Sequence, residues 1–284
     1  MSATLHYRLD DLRRFTSALA SGVGVPAARA SVLAARLLWF DTAGAARFGI
    51  ASLPVLIERI SAGELDPKTD GGIVSEKSGT ATWDGGGGIP LLVLDRVAGL
   101  ATEKARETGV GLVRVENLAP LGPTAGIAAE MTVVGPYAGL VLGPGTSWSL
   151  ALPTEGGLPV VFDPALTAID GPKSRQGRDL SAPSAVLGIP LASWLAPAGG
   201  CLVAALSIPA LEAFSVFHER LAAALGAMRE ESGRLLPGPW EGRRRAAQSD
   251  GVPVEPALWA SLSDLASRLS VVLPEPLRRS SRPA

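Results

Sequence analysis

Asp41, Thr42 and Arg47 are the residues whose types and spacing could do chemistry together. They fall in the run Leu37-Leu38-Trp39-Phe40-Asp41-Thr42-Ala43-Gly44-Ala45-Ala46-Arg47-Phe48-Gly49-Ile50. There an apolar helical stretch stops at a small polar turn and a second helix starts almost at once. A carboxyl group in such a turn either caps the helix that follows Gly44 or does acid/base work. Thr42 supports the turn. An arginine offers a planar fork that holds a carboxylate through two parallel hydrogen bonds, which a lysine does not match. The alternative for Arg47 is an exposed side chain in the first turn of a helix.

The rest of the chain excludes several chemistries. It has two histidines, His6 near the start and His218 beside Glu219 and Arg220 in a helical stretch, and one cysteine, Cys201. That leaves no Ser-His-Asp arrangement, thiolate metal cluster or internal disulfide framework. Cys201 lies in the apolar run Gly199–Leu206, the pattern of a buried strand with an inert thiol. Four consecutive glycines, Gly85–Gly88, have no Lys-Ser/Thr after them, and Gly171-Pro172-Lys173-Ser174 lacks the preceding glycine spacing, so neither is a phosphate loop. A net charge of -1 gives no basic field for nucleic acid. Asp10 and Asp11 precede any long apolar run, and no window reaches the length of a membrane span, so a cytoplasmic, membrane-free protein is expected. Lysine is rare beside arginine, and Ala, Gly and Pro are abundant, as in GC-rich bacterial genomes.

At 284 residues and 47% hydrophobic, the chain can bury a full core. Apolar spacings of three and four predict helices from Asp10 to Gly22, from Pro26 to Phe40, and from Ala45 or Ala46 to about Ser61. Short strands follow at 73–76 and 80–83, then a helix from Pro90 to Thr108 and a buried strand at 109–115. A helix at 124–133 and strands at 138–142, 148–152 and 159–162 complete an α/β middle. Residues 170–199 are polar or rich in Pro and Ser, and an irregular connection is expected there. A strand at 201–206 leads to a helix from Pro209 to about Glu231. Residues 234–253 look loop-like, and a last helix runs from Glu255 to Leu269. The domain expectation is an N-terminal helical part over 1–70, a mixed-sheet α/β domain over 71–206, and C-terminal helices over 207–284 that pack back on the N-terminal part.

The turn resembles the active-site segment of the malate/L-lactate dehydrogenase family, the NAD(P)-dependent reductases unrelated to the Rossmann lactate dehydrogenases. In that family an Asp-Ser-His-Gly turn carries the catalytic histidine, and an arginine three residues after the glycine grips the substrate carboxylate. Here the turn is Asp41-Thr42-Ala43-Gly44, and the arginine is Arg47. The resemblance extends through Thr102–Gly111, a helix-to-strand junction, and Asn117-Leu118-Ala119-Pro120-Leu121-Gly122, in the place of an Asn-Ser-Asn-His-Phe-Gly loop. It continues through Leu158–Thr167, similar to the strand leading to an Asp-Met-Ala-Thr-Ser segment, and through Leu236-Pro237-Gly238, Arg243-Arg244-Arg245, Asp250–Pro253 and Trp259. It implies an α/β fold like that of malate and L-sulfolactate dehydrogenases, with a helical domain built from both chain ends around a mixed sheet. It also implies Asp41, Thr42 and Tyr137 as catalytic candidates, Arg47 for substrate, and Asn117, Asp163, Thr167 and Lys173 for NAD or NADP, with no metal. For Lys173 the alternative is a solvated loop lysine.

The departures gather at the chemistry. Ala43 and Pro120 stand where the family has histidines, and the family's Gly-Gly-His-Lys-Gly-Tyr-Gly segment has no counterpart. The implied function is a diverged NAD(P)H-dependent reductase of a small 2-oxo acid or cyclic imine acid in bacterial biosynthesis. The alternatives are a lyase, isomerase or cyclase on a carboxylated intermediate, or a catalytically dead partner or binding protein. Because the family builds its cleft beside a subunit interface, a homodimer is expected. Sedimentation equilibrium at micromolar concentration should return the dimer mass; a monomer mass would remove that expectation.

Overall fold

The computed structural model describes residues 4–120, 122–143, 147–155, 158–163, 166, 199–232 and 240–277. The chain forms two compact units, one of residues 1–68 with 239–284, the other of residues 69–238.

The first unit is helical. Its helices are α1 (Leu9–Gly22), α2 (Ala27–Thr42), α3 (Leu53–Ser61), α7 (Trp240–Asp250) and α8 (Pro256–Arg268). On α1, Leu12, Phe15 and Leu19 are buried along one stripe, and Asp10 and Asp11 sit in the first turn, where carboxylates suit the helix dipole. Strand β1 (Leu5–Tyr7) pairs antiparallel with β9 (Val252–Val254), Leu5 opposite Val254 and Tyr7 opposite Val252, and so ties the two chain ends together. Trp259 of α8 stacks on Tyr7 at 4.2 Å between centroids and lies 5.7 Å from Phe15. This aromatic cluster joins α1, α8 and the small sheet.

The second unit is built on a seven-stranded mixed sheet. Its strands are β2 (Gly72–Glu76), β3 (Thr80–Asp84), β4 (Val110–Glu116), β5 (Tyr137–Leu142), β6 (Trp148–Leu152), β7 (Val160–Phe162) and β8 (Cys201–Ser207), in the order β2-β3-β4-β8-β5-β6-β7. β3 and β4 are parallel, joined by α4 (Pro90–Thr108), while the other pairs are antiparallel. This is the α/β, mixed-sheet architecture expected from the sequence. α5 (Ala125–Val133) packs on β5 and β6, and α6 (Phe214–Ser232) closes the unit. β8 runs at the centre and buries Cys201 completely, which pushes its thiol pKa up to about 12 and makes it inert. Lys104, 5% exposed on α4, donates from Nζ to Glu76 Oε1 and to the Lys77 carbonyl, both at 2.8 Å, pinning the β2–β3 turn to the helix.

Four expectations need correction. The helix expected from Ala45 or Ala46 begins at Leu53, preceded by two 3₁₀ turns at Ala46–Phe48 and Ile50–Ser52. Gly49 (φ -87°, ψ -136°) breaks the run, and Pro54 in the first turn of α3 restarts it. Residues 240–250, expected as loop, form α7. Its Trp-Glu-Gly-Arg-Arg-Arg-Ala-Ala-Gln-Ser-Asp sequence carries no apolar stripe, so periodicity gave no signal. The helix expected from Pro209 starts at Phe214 after a 3₁₀ turn at Ile208–Ala210. β1 and β9, three residues each, were too short to register as strands. The irregular connection expected over 170–199 lies, up to residue 198, outside the described residues.

α4 reaches the sheet through glycine. A Cβ on Gly111 would stand 1.9 Å from the Ala101 carbonyl oxygen, so β4 and the helix lie in backbone contact. Gly111→Ala must push them apart and should lower stability by about 2 kcal/mol or more in urea unfolding. A loss below about 0.5 kcal/mol would mean that this contact relaxes freely.

Candidate functional site

The turn after α2 is the strongest candidate, and its shape follows from the way the helix ends. Leu33, Leu37, Leu38 and Phe40 bury the last turns of α2. Ala45 N–H bonds back to the Phe40 carbonyl at 2.8 Å and Gly44 N–H to the Asp41 carbonyl at 3.1 Å. This paired closure needs a left-handed residue, and Gly44 supplies it at φ +83°. Thr42 Oγ1 donates to the Trp39 carbonyl at 2.9 Å, so this hydroxyl braces the helix end, as expected of it. Ala43, where the resemblance puts a histidine, is buried.

Asp41 is folded under the turn. It is 7% exposed, and its Oδ2 accepts the Ile50 N–H at 2.9 Å. It therefore sits in the last turn of α2 and bonds the first amide of the second 3₁₀ turn, rather than capping α3. The carboxyl lies against bare backbone: a Cβ on Gly49 would come within 2.1 Å of Oδ2. Burial raises its pKa to about 7, against a smaller lowering from the Ile50 and Asp41 amides. A carboxyl in that range can hold or release a proton at neutral pH.

Arginines surround the outside of the turn. Arg47 is exposed, its guanidinium 4.4 Å from the Phe48 ring centroid. Phe48 in turn meets Phe40 edge-on at 6.2 Å. From α7, Arg243 lies across Gly44, and Arg244 stands 5.4 Å from the Trp39 ring centroid. Arg243 belongs to the arginine triplet visible in the sequence, but nothing there shows that α7 returns it to this turn. Gly49 was missed as well, because its role is to leave room for a carboxyl nine residues away from the amide it accepts from.

The other sequence candidates occupy separate polar clusters of the second unit. Tyr137, 9% exposed, lines a pocket of ≈ 250 Å³ with Gly99, Thr102, Glu103, Arg106 and Val134. Asn117, left-handed at φ 51°, donates from Nδ2 to Asp84 Oδ1 at 3.2 Å, and the same oxygen accepts Gly86 N–H at 2.8 Å. Gly85–Gly88 thus form the connection from β3 to α4, with one loop amide taken by a carboxylate. Asp163, 5% exposed, accepts from Ser149 Oγ at 2.7 Å, and Ser149 Oγ lies 2.7 Å from Thr124 Oγ1. Thr167 and Lys173 lie outside the described residues. His218 packs edge-on against Phe214 at 4.3 Å. Among the described residues no group of His, Cys, Asp or Glu could hold a metal ion, and no helix is long and apolar enough to cross a membrane.

Comparison with known proteins gives a consistent result. The sequence profile of the malate/L-lactate dehydrogenase family matches residues 7–183. L-sulfolactate dehydrogenase of Methanocaldococcus jannaschii is 29% identical over 167 residues, covering 58% of this chain and 47% of that protein. Malate dehydrogenase of Pyrococcus abyssi is 29% identical over 175 residues, covering 56% and 48%. The chain spans about half the length of the curated relatives it matches. In three dimensions it is similar to malate dehydrogenase from Entamoeba histolytica, with a TM-score of 0.79 and 15% identity over 96% of this chain and 100% of that one. It is also similar to delta1-piperideine-2-carboxylate reductase from Pseudomonas syringae, with a TM-score of 0.71 and 17% identity over 92% and 99%. At such identities the structural likeness establishes the fold alone.

The Asp41 environment sets a sign for stability against pH. The unfolded carboxyl titrates near its ordinary value of 3.8 and the folded one near 7, so between these pH values the folded state binds more protons. Stability should therefore be fully present below about pH 4, fall as pH rises toward 7, and level off above it. Asp41→Asn keeps an oxygen for the Ile50 amide and removes the titration, so its unfolding free energy should lose that part of the slope. Urea unfolding from pH 4 to 8 measures it; parallel curves for the two proteins would mean that Asp41 is ionised throughout.

Proposed function

The chain belongs to the malate/L-lactate dehydrogenase family, and from that membership we propose that it reduces a small 2-oxo acid or cyclic imine acid, with Asp41 as proton donor in place of a histidine. The observation that carries this reading is the buried Asp41 carboxyl, with its pKa near 7, in the same turn as Arg47. Relatives named for malate, sulfolactate and piperideine-2-carboxylate suggest a small acid bearing a carboxylate. Arg47 grips that carboxylate with its fork. Protonated Asp41 then supplies the proton to the carbonyl oxygen as it becomes a hydroxyl. An imine nitrogen that already carries its proton needs less help. Thr42 holds the helix end that aims Asp41. The arginine-rich, lysine-poor composition supports a bacterial setting, and we place the reduction in cytoplasmic biosynthesis.

NAD(P)H, when bound, supplies the hydride. Among the described residues, its candidates Asn117 and Asp163 already have side-chain partners. The Gly86 amide and the Asn117 side-chain amide both serve the half-buried Asp84, and in a separate cluster the buried Asp163 carboxyl accepts from Ser149. The family's lysine-bearing segment has no counterpart in the sequence, and a lost charge-assisted contact costs about 1.5–3 kcal/mol. The absence of that segment and of the histidine at Ala43 favours a second reading, in which the scaffold serves a lyase, isomerase or cyclase, or only binds a carboxylated ligand.

Calorimetric titration with NADH and NADPH separates the readings. The proposal expects dissociation constants roughly one to two decades above the micromolar range, with turnover of a 2-oxo or imino acid. Low-micromolar binding would overturn the weak-cofactor account, and no binding at millimolar concentration would overturn the reductase. Arg47→Ala should weaken carboxylate binding about thirtyfold, and an effect within about twofold would remove Arg47 from the site.

A further inference from the structure

We infer that the second unit carries a binding site for a free amino acid with a small apolar side chain, in the pocket between α4, the end of α5 and the start of β5. This site is independent of the turn after α2 and of hydride transfer.

The pocket lies at the far end of the sheet from the residues named for the dinucleotide. Tyr137 opens β5 opposite Ser207, the last residue of β8, while Leu142 closes β5 opposite Leu202. Asn117 follows β4, whose Val115 pairs with Cys201, and Asp163 bonds Ser149, which pairs with Val141. The six residues of β5 therefore separate the two ends by roughly 17 Å.

Gly99, Thr102, Glu103 and Arg106 recur at spacings of three and four, so one face of α4 forms one wall of the pocket. Val134 and Tyr137 form the other. The Tyr137 ring is seated on bare backbone, since a Cβ on Gly135 would stand 2.6 Å from its Cε2. Thr102 Oγ1 is turned back onto the helix, shared between the Ala98 and Gly99 carbonyls at 3.1 and 2.8 Å. The charge of the pocket is thus left to Glu103 and Arg106. These stand one helical turn apart, where a carboxylate and a guanidinium can pair. Yet among the described residues neither has an ion pair or a side-chain hydrogen bond, and the Tyr137 hydroxyl has none either.

Gly99 is a separate sign of a kept space. Glycine inside a helix is less favourable than alanine, and a Cβ at Gly99 would meet nothing within 4 Å, so no neighbour in the fold demands glycine here. What a side chain at this position would fill is the pocket itself.

Two opposite charges on one wall of a cavity of ≈ 250 Å³, facing a phenol and a valine, match a small zwitterion. Arg106 takes the carboxylate with its fork, Glu103 takes the ammonium group, and Val134 and the Tyr137 ring cover a small apolar side chain. A simple acid or a simple amine leaves one of the two charges unanswered.

The test is calorimetric titration of the full-length protein with L-valine, with 3-methylbutanoate, which lacks the ammonium group, and with 2-methylpropylamine, which lacks the carboxylate. Wild type should bind L-valine at least about tenfold more tightly than either analogue. Arg106→Gln should remove the preference over the amine, and Glu103→Gln the preference over the acid. Gly99→Leu, which sends a side chain into the pocket, should weaken L-valine by about tenfold or more without lowering thermal stability. Should it lose stability, the two glutamine variants, both at exposed positions, decide. Arg47→Ala should leave L-valine within about twofold. Equal affinity of wild type for all three compounds, or no binding of L-valine at about 10 mM, would overturn the inference. L-valine binding that a stable Gly99→Leu leaves unchanged, or that Arg47→Ala removes, would overturn it too. A protein that binds L-valine through Glu103 and Arg106 and transfers no hydride would keep this inference and sink the reductase alone.

Discussion

The reaction proposed for this chain depends on one buried contact, the 2.9 Å hydrogen bond from the Ile50 amide to the Asp41 carboxyl. An acid taken out of water must find donors or stay protonated, and Asp41 does some of both: the amide holds it in place while burial raises its pKa to about 7. The contact requires Gly49, since any side chain there would occupy the space of the carboxyl. It also fixes the path of the chain from the end of α2 through two short 3₁₀ turns into α3, and that path puts Arg47 on the outside of the turn. The bond that shapes the backbone therefore also holds Asp41 where burial raises its pKa, while itself drawing that pKa down by a smaller amount.

The fold was largely legible because its signals are strong. Leu12, Phe15 and Leu19 repeat at helical spacing, and the Cys201 strand is an unbroken apolar run, as a strand covered on both faces must be. Elements that failed to register were those with weak local signals. α7 has no apolar stripe, and β1 and β9 are three residues long, held by pairing across the whole chain rather than by propensity. The 3₁₀ turns hide inside what looks like one continuous helix, because only the backbone at Gly49 interrupts it.

The site was legible only in part, for a different reason. Asp41, Thr42 and Arg47 are near neighbours in sequence, so one turn brings them together. Arg243 comes from almost two hundred residues away, and only the packing of α7 on α2 reveals it. In the second unit, Asn117 and Asp163 meet partners that no spacing rule connects to them, namely Asp84 and the Ser149–Thr124 pair. Those partners change what the residues offer a ligand: the Asn117 side-chain amide donates to the half-buried Asp84, and the Asp163 carboxyl accepts from Ser149. The family's scaffold persists in this chain.

The central claim is that Asp41 is a proton-holding acid coupled to an anion that Arg47 holds on the same turn. Calorimetry of malonate binding near pH 7.5, in buffers of different ionisation enthalpy, measures this directly as protons taken up per ligand bound. An anion arriving beside a carboxyl that is mostly ionised at that pH raises its pKa further. The account predicts uptake of a sizeable fraction of one proton in the wild type and none in Asp41→Asn. Binding without uptake in the wild type, or equal uptake in both proteins, would contradict it.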